Sequence, residues 1–227
     1  MNGWLLAIDT ATDALSVAVG RPGDAGFAGW QRRRKGHAEE LAPLIDRAMR
    51  SAGIKPDALS AVAVTIGPGT FTGVRIGLAA ARGMRLALKV PVVGVNTLEL
   101  LAFQAAKRWP DHPIMTALDA RRGQVYAQYY RRAGRGWPIP WSAPAAMDAA
   151  LAAQMLVPGS VVCGSGANLI ADAVTERPAT VARLLPDARM IIDLLAGRPA
   201  TDPSAPPPSP LYLRAPDAVP ARHLLNL

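Results

Sequence analysis

The sequence predicts an α/β fold in two units, and three observations carry that prediction. Short apolar runs broken by polar or glycine turns open the chain, at Gly3–Asp9, Ala14–Gly20 and Phe27–Arg33, and read as a strand meander. The stretch Ala61–Thr97 then reads as a buried strand, a glycine turn, a long helix and a second buried strand. After the break Trp109-Pro110-Asp111-His112-Pro113, strand-like runs begin again at Ile114–Leu118 and Gln124–Tyr130. The expected division is 1–108, a smaller unit at 109–198, and a proline-rich tail at 199–227.

Each element has a local reason. Asp9 ends the first apolar run and is followed by hydroxyls at Thr10 and Thr12. Such a carboxylate can hold a metal-bound phosphate or water, or cap its own turn, and the balance falls to the cap. The run Arg32–Lys35 reads as a solvated strand end. From about His37 to Ala52, the positions Leu41, Leu44, Ile45, Ala48 and Met49 repeat at helical spacing, with Gly53 as the stop. Pro43 argues for an irregular start to this helix. His37 has no second histidine nearby and reads as structural or interfacial, not as a metal ligand.

The central turn Gly67-Pro68-Gly69 has two readings. Glycines before a helix can hold a phosphate, yet neither a P-loop nor a G-x-G-x-x-G spacing is present. Alternatively, Gly73, Gly77 and Ala81 lie four residues apart on one helix face and let another helix approach closely. The packing or partner reading is the stronger. Thr70 or Thr72 caps this helix, which runs to about Lys89. Thr97 to about Lys107 forms another helix. Later, Gly134–Pro144 reads as a loop and Val161–Ala167 as a strand entering a glycine turn. Helices are expected near 167–175 and 179–196, and the prolines of 198–210 lead to an apolar docking segment, Leu211–Arg214. The chain end beyond it is expected to be mobile.

Composition narrows the function classes. Half of the 227 residues are hydrophobic, which suits a packed core, and the single Cys163 excludes a disulfide framework or a cysteine-based zinc site. No targeting segment or membrane span is visible, so a cytoplasmic protein without membrane contact is expected. The formal charge of +8 permits attraction to nucleic acid or an acidic protein, but arginine-rich composition alone does not show RNA binding.

Five pieces occur in order: Ala7-Ile-Asp-Thr10, Gly67-Pro-Gly-Thr-Phe-Thr-Gly-Val-Arg-Ile-Gly77, Val93-Gly-Val-Asn-Thr-Leu98, Ala117-Leu-Asp-Ala-Arg-Arg-Gly-Gln-Val-Tyr126 and Pro210-Leu-Tyr-Leu-Arg214. Together they strongly resemble the TsaB (YeaZ) family, bacterial partner proteins in making threonylcarbamoyladenosine in tRNA. The resemblance spans about Leu5 to Arg214. It implies a two-domain fold of the actin-like ATPase and sugar-kinase (ASKHA) type with a reduced second domain.

The resemblance also implies what is lost. The catalytic relative TsaD carries a His-x-x-x-His metal pair where this chain has Thr97 and Leu101, and a Ser-Gly-Gly-type phosphate loop where it has Asp119–Gly123. It therefore implies a non-catalytic partner of TsaD with no metal, acting with TsaC and TsaE and reaching tRNA through the complex. ATP or ADP belongs to that complex, not to the isolated chain, which can self-pair when alone. The implied partner face comprises His37, Leu41, Leu44, Thr70, Phe71, Gly73, Val74, Gly77, Leu78 and Ala81. On this expectation Gly77→Leu blocks pairing without unfolding the monomer. Asp9, Thr10, Gly67 and Gly69 remain as a vestigial phosphate site. The competing reading is an ATP-dependent sugar-kinase-like phosphotransferase with Asp119 as base, and a third is an RNA-binding module resting on charge.

Overall fold

The computed structural model describes residues 3–131, 137–174, 180–196, 198, 202 and 204–214. The opening meander becomes β1 (Trp4–Asp9), β2 (Ala14–Arg21) and β3 (Asp24–Arg32), paired antiparallel. β4 (Leu59–Gly67) then joins β1 in parallel, and β5 (Val92–Asn96) joins β4, giving the order β3-β2-β1-β4-β5. Parallel neighbours need crossovers, supplied by α1 (His37–Ser51) and α2 (Phe71–Leu88). Both helices cover one face of the sheet, over Ile8, Val17, Val62 and Val64. Because the central strands are buried on both faces, they read as nearly continuous apolar runs. α1 is continuous through Pro43, which sits on its exposed side, so the irregular start expected from that proline is absent.

A second sheet repeats this plan in reduced form. β6 (Ile114–Asp119) and β7 (Gln124–Arg131) pair antiparallel as β1 and β2 do. Beside β7 lie β8 (Ile139–Pro140), inside the segment expected to be a loop, and β9 (Ala145–Asp148). On the other side β10 (Val161–Cys163) and β11 (Thr180–Ala182) extend it in parallel. α4 (Ala149–Gln154) and α5 (Ala167–Ala171) pack on its face through Ala152, Ala153 and Ile170.

α3 (Thr97–Arg108) joins the two sheets and is apolar nearly all round, as a helix enclosed on every side must be. Leu100 and Phe103 meet the first sheet's cluster; Ala102, Ala105 and Ala106 meet Ile114, Tyr130 and Val161. The expected helix over 179–196 resolves into β11, an irregular stretch, and α6 (Ala188–Ala196). Pro186 explains the break, since it lacks an N–H and disfavours helix before it. α6 buries Ile191, Ile192 and Leu195 against Leu5, Ala7 and Ala18, so its place is on the first sheet and not in the later unit to which 109–198 assigns it.

The segment 206–214 runs as an extended strap over both sheets. Arg82 donates to the Pro208 carbonyl at 2.8 Å and the Leu211 N–H to the Ile66 carbonyl at 2.7 Å. Tyr212 stacks on Phe71 and accepts from Arg75, and Arg214 donates to the Ala120 carbonyl at 2.9 Å and to Gln124. The strap thus ties α2 and β4 to the β6–β7 turn. Pro199, Pro203 and the chain end expected to be mobile lie outside the described residues.

Candidate functional site

The α2 helix decides between the two readings of the glycine turn. Thr70 caps it by accepting from the Gly73 N–H at 3.1 Å. A Cβ on Gly73 would sit 2.1 Å from the Thr10 carbonyl oxygen, and one on Gly77 2.6 Å from the Thr10 hydroxyl and 3.1 Å from Val64. The small-residue face is therefore turned inward, onto the β1–β2 turn of its own chain. Gly73, Val74, Gly77, Leu78 and Ala81 are buried there, as are Leu41 and Leu44 of α1. These seven residues belong to the core and present no face to a partner. The reason is geometric: a four-residue spacing of small side chains shows that something comes close but not which neighbour it is.

His37 is buried, and its Nε2 lies 3.2 Å from the Ala14 carbonyl, so it anchors the start of α1 to the sheet. Thr70 and Phe71 do face outward, Phe71 at 50 % exposure. A leucine at position 77 would have to displace Thr10 and Val64, so this substitution disrupts the fold and does not test pairing. The outer side of α2 carries Thr72, Ala79, Gly83 and Leu86, with Leu86 at 82 % exposure and nothing within 4 Å of a Cβ on Gly83.

The residues of the expected phosphate site make close contacts within the chain, although the second carboxyl oxygen of Asp9 has no hydrogen-bond partner and Gly69 also borders a cleft. Asp9 is fully buried and accepts from the Thr65 hydroxyl at 2.7 Å and from the Ala11 N–H at 3.3 Å. Burial pushes its carboxyl up to about 6, with the Thr65 hydrogen bond opposing the shift. The Thr10 hydroxyl donates to the Gly73 carbonyl at 2.7 Å. Gly67 takes φ 101°, and a Cβ there would meet the Leu211 carbonyl at 3.0 Å. Gly69 is needed for approach, because a Cβ would lie 2.2 Å from the Ala11 carbonyl. The strap thus stands against Gly67 and the β1–β2 turn against Gly69.

Thr97 and Leu101, the positions compared above with the metal pair of TsaD, are both enclosed. Thr97 is buried at the start of α3, and Leu101 packs with Leu98 and Leu118. Among the described residues no three His, Cys, Asp or Glu side chains gather as a metal-binding group.

Between the sheets lies a cleft of about 550 Å³. The β1–β2 turn brings Thr12 and Asp13, the β3–α1 loop brings Arg34 and Lys35, and the β6–β7 turn brings Asp119 and Arg121. Ser165 and Arg183 close the far wall. Arg34 pairs with Asp13 at 3.3 Å and Arg121 with Asp119 at 3.7 Å. Ser165 accepts from the Asp119 N–H at 3.1 Å, while Asp119 accepts from the Arg121 N–H at 2.8 Å. Arg121 and Arg122 hold φ of 65° and 57°, a left-handed conformation that costs a non-glycine residue about 1 kcal/mol or more. Of these residues, Arg183 and the role of Thr65 escape the sequence reading. A hydroxyl inside the apolar run Val62–Ile66 was the available sign for Thr65; Arg183 had none.

A family model described as TsaD, tRNA N6-adenosine threonylcarbamoyltransferase, matches residues 31–164. The tRNA threonylcarbamoyladenosine biosynthesis protein TsaB of Escherichia coli is 36% identical over 132 residues, 58% of this chain and 57% of that relative. The match thus spans little more than half of the curated relative's length. Two solved structures from Pseudomonas aeruginosa cover more. YeaZ is 31% identical with a TM-score of 0.76, over 86% of this chain and 91% of the other. A protein described as similar to peptidase YEAZ is 30% identical with a TM-score of 0.81, over 94% of this chain and 100% of the other. The α/β fold with two sheets anticipated from the sequence is the fold found, and YeaZ shares it.

Proposed function

The chain belongs to the TsaB (YeaZ) family of tRNA threonylcarbamoyladenosine biosynthesis, and from that premise we propose that it is the non-catalytic partner of the threonylcarbamoyltransferase TsaD. In the complex, threonylcarbamoyl passes from an adenylate to N6 of an adenosine beside the tRNA anticodon. TsaD supplies the metal and the chemistry, and TsaE acts on the pair; the setting is the cytoplasm. No helix among the described residues is long and apolar enough to cross a membrane. The observation that carries the reading is the internal bonding at the phosphate turn: the Thr10 hydroxyl donates to the Gly73 carbonyl, and the Thr70 N–H to the Ala11 carbonyl.

The docking face is the outer side of α2, not the buried side expected from residue spacing. Phe71, Thr72, Ala79, Gly83 and Leu86 offer a low, exposed surface on which a partner helix can lie closely, and which pairs two copies when the transferase is absent. Light-scattering chromatography of the chain mixed with TsaD tests this. A heteromeric peak is expected, and Gly83→Leu, whose Cβ would have no atom of its own chain within 4 Å, should abolish it without lowering the monomer's melting temperature. No complex with or without ATP, joined to ATP turnover by the chain alone, would overturn the reading in favour of a phosphotransferase.

A further inference from the structure

We infer that the cleft between the two sheets is a cationic seat for the sugar–phosphate backbone of RNA, a direct contact that rests on the tRNA-pathway reading above and extends it. Arg34 and Lys35 enter the cleft from the first sheet, and Arg121 and Arg183 enter from the second. Four cations on two facing walls thus meet only two carboxylates, Asp13 and Asp119. Arg34 and Arg121 share those carboxylates, but their side chains are 76% and 84% exposed. Exposed ion pairs are worth about 1 kcal/mol or less, so either guanidinium can turn to a phosphate at small cost. Arg32, exposed at the end of β3, adds a further cation next to this run in the chain.

A single nucleotide fits these walls poorly. Its base needs an apolar slot, and the large apolar side chains lining the cleft are Leu118 and Tyr126 alone among the described residues. Its phosphates need free N–H groups at the glycine turn, and there the Thr70 and Gly73 N–H groups already donate to the Ala11 carbonyl and the Thr70 hydroxyl. A polymer needs neither. It neutralises one phosphate per cation across both walls, and the chain's net charge of +8 favours its approach.

Fluorescence anisotropy with an unmodified tRNA transcript as probe tests this, over a salt series, for the full chain alone and in complex with the transferase. Arg34→Gln, Lys35→Gln, Arg121→Gln and Arg183→Gln should each lower the salt slope by about one, and the four together should weaken binding on the order of a hundredfold. All four side chains are exposed, so unchanged melting temperatures are expected and serve as the control. Undiminished tRNA affinity in the fourfold variant overturns the inference, as does absence of tRNA binding by both chain and complex. Stoichiometric ATP binding that the fourfold variant loses while keeping tRNA also overturns it, in favour of a mononucleotide site. Chromatography of the same variants separates the two readings. If the fourfold variant still pairs with the transferase but loses tRNA, the inference is supported. If the chain never pairs yet binds tRNA through these cations, the partner reading fails and the inference stands.

Discussion

The turn after β1 and the turn after β6 hold corresponding places in two sheets built to one plan, and both reach the cleft. In the first, Asp9 and Thr10 are fully buried, bonded to Thr65 and Gly73, and covered by α2 at a distance only glycine permits. In the second, Asp119, Arg121, Arg122 and Gly123 face outward, and the backbone stays left-handed through three successive residues. One turn has become core and the other has remained surface. The difference teaches that a sheet end can keep the outline of a binding loop after its polar groups have been taken up by the protein's own helix.

Three substitutions sharpen the contrast. Gly73→Val should be the most damaging, because its Cβ would stand 2.1 Å from the Thr10 carbonyl, a backbone atom that cannot swing aside. A loss of about 3 kcal/mol is expected in urea unfolding; a loss under ~0.5 kcal/mol would show that α2 is not fixed on this turn.

The second prediction concerns pH. The folded Asp9 carboxyl titrates at about 6 against 3.8 ordinarily, so between these values the folded state holds a proton that the unfolded state has released. Stability from this group is therefore present below pH 4 and declines as pH rises to 6. The decline is on the order of 3 kcal/mol. Measured by denaturant unfolding at pH 4 and pH 7, Asp9→Asn should gain on the parent chain by that amount over the interval. A constant difference between the two proteins would show that the carboxyl is not enclosed.

The third prediction is smaller. Gly123→Ala meets no atom within 4 Å but must hold φ 74°, and should cost only about 1 kcal/mol by the same measurement. An effect as large as that of Gly73→Val would erase the distinction between the turns.

The sequence made the meander, both crossover helices and the docking segment at 211–214 legible, because apolar periodicity and glycine punctuation act locally. It did not show where the Gly73–Gly77–Ala81 face points. Spacing reports close approach, whereas direction depends on Thr10, more than sixty residues away. The region 139–160 was obscure for a different reason: alanine runs carry no period, so β9 and α4 give no signal. Of the cleft, Asp119 stood out as a candidate base and Arg32–Lys35 as a charged strand end, but only folding brings Arg34 and Arg183 to one cleft.

The strap carries a consequence for the order in which the molecule is assembled during synthesis. Its contacts join residues separated by 126 positions for Arg82 and Pro208, 137 for Arg75 and Tyr212, and 94 for Ala120 and Arg214. Translation delivers the amino-terminal residues first. Every described strand of both sheets therefore precedes Leu211 in synthesis, and α3 joins the two sheets in sequence order before the strap is added. The tie from α2 and β4 to the β6–β7 turn is thus the last of these contacts that synthesis makes possible.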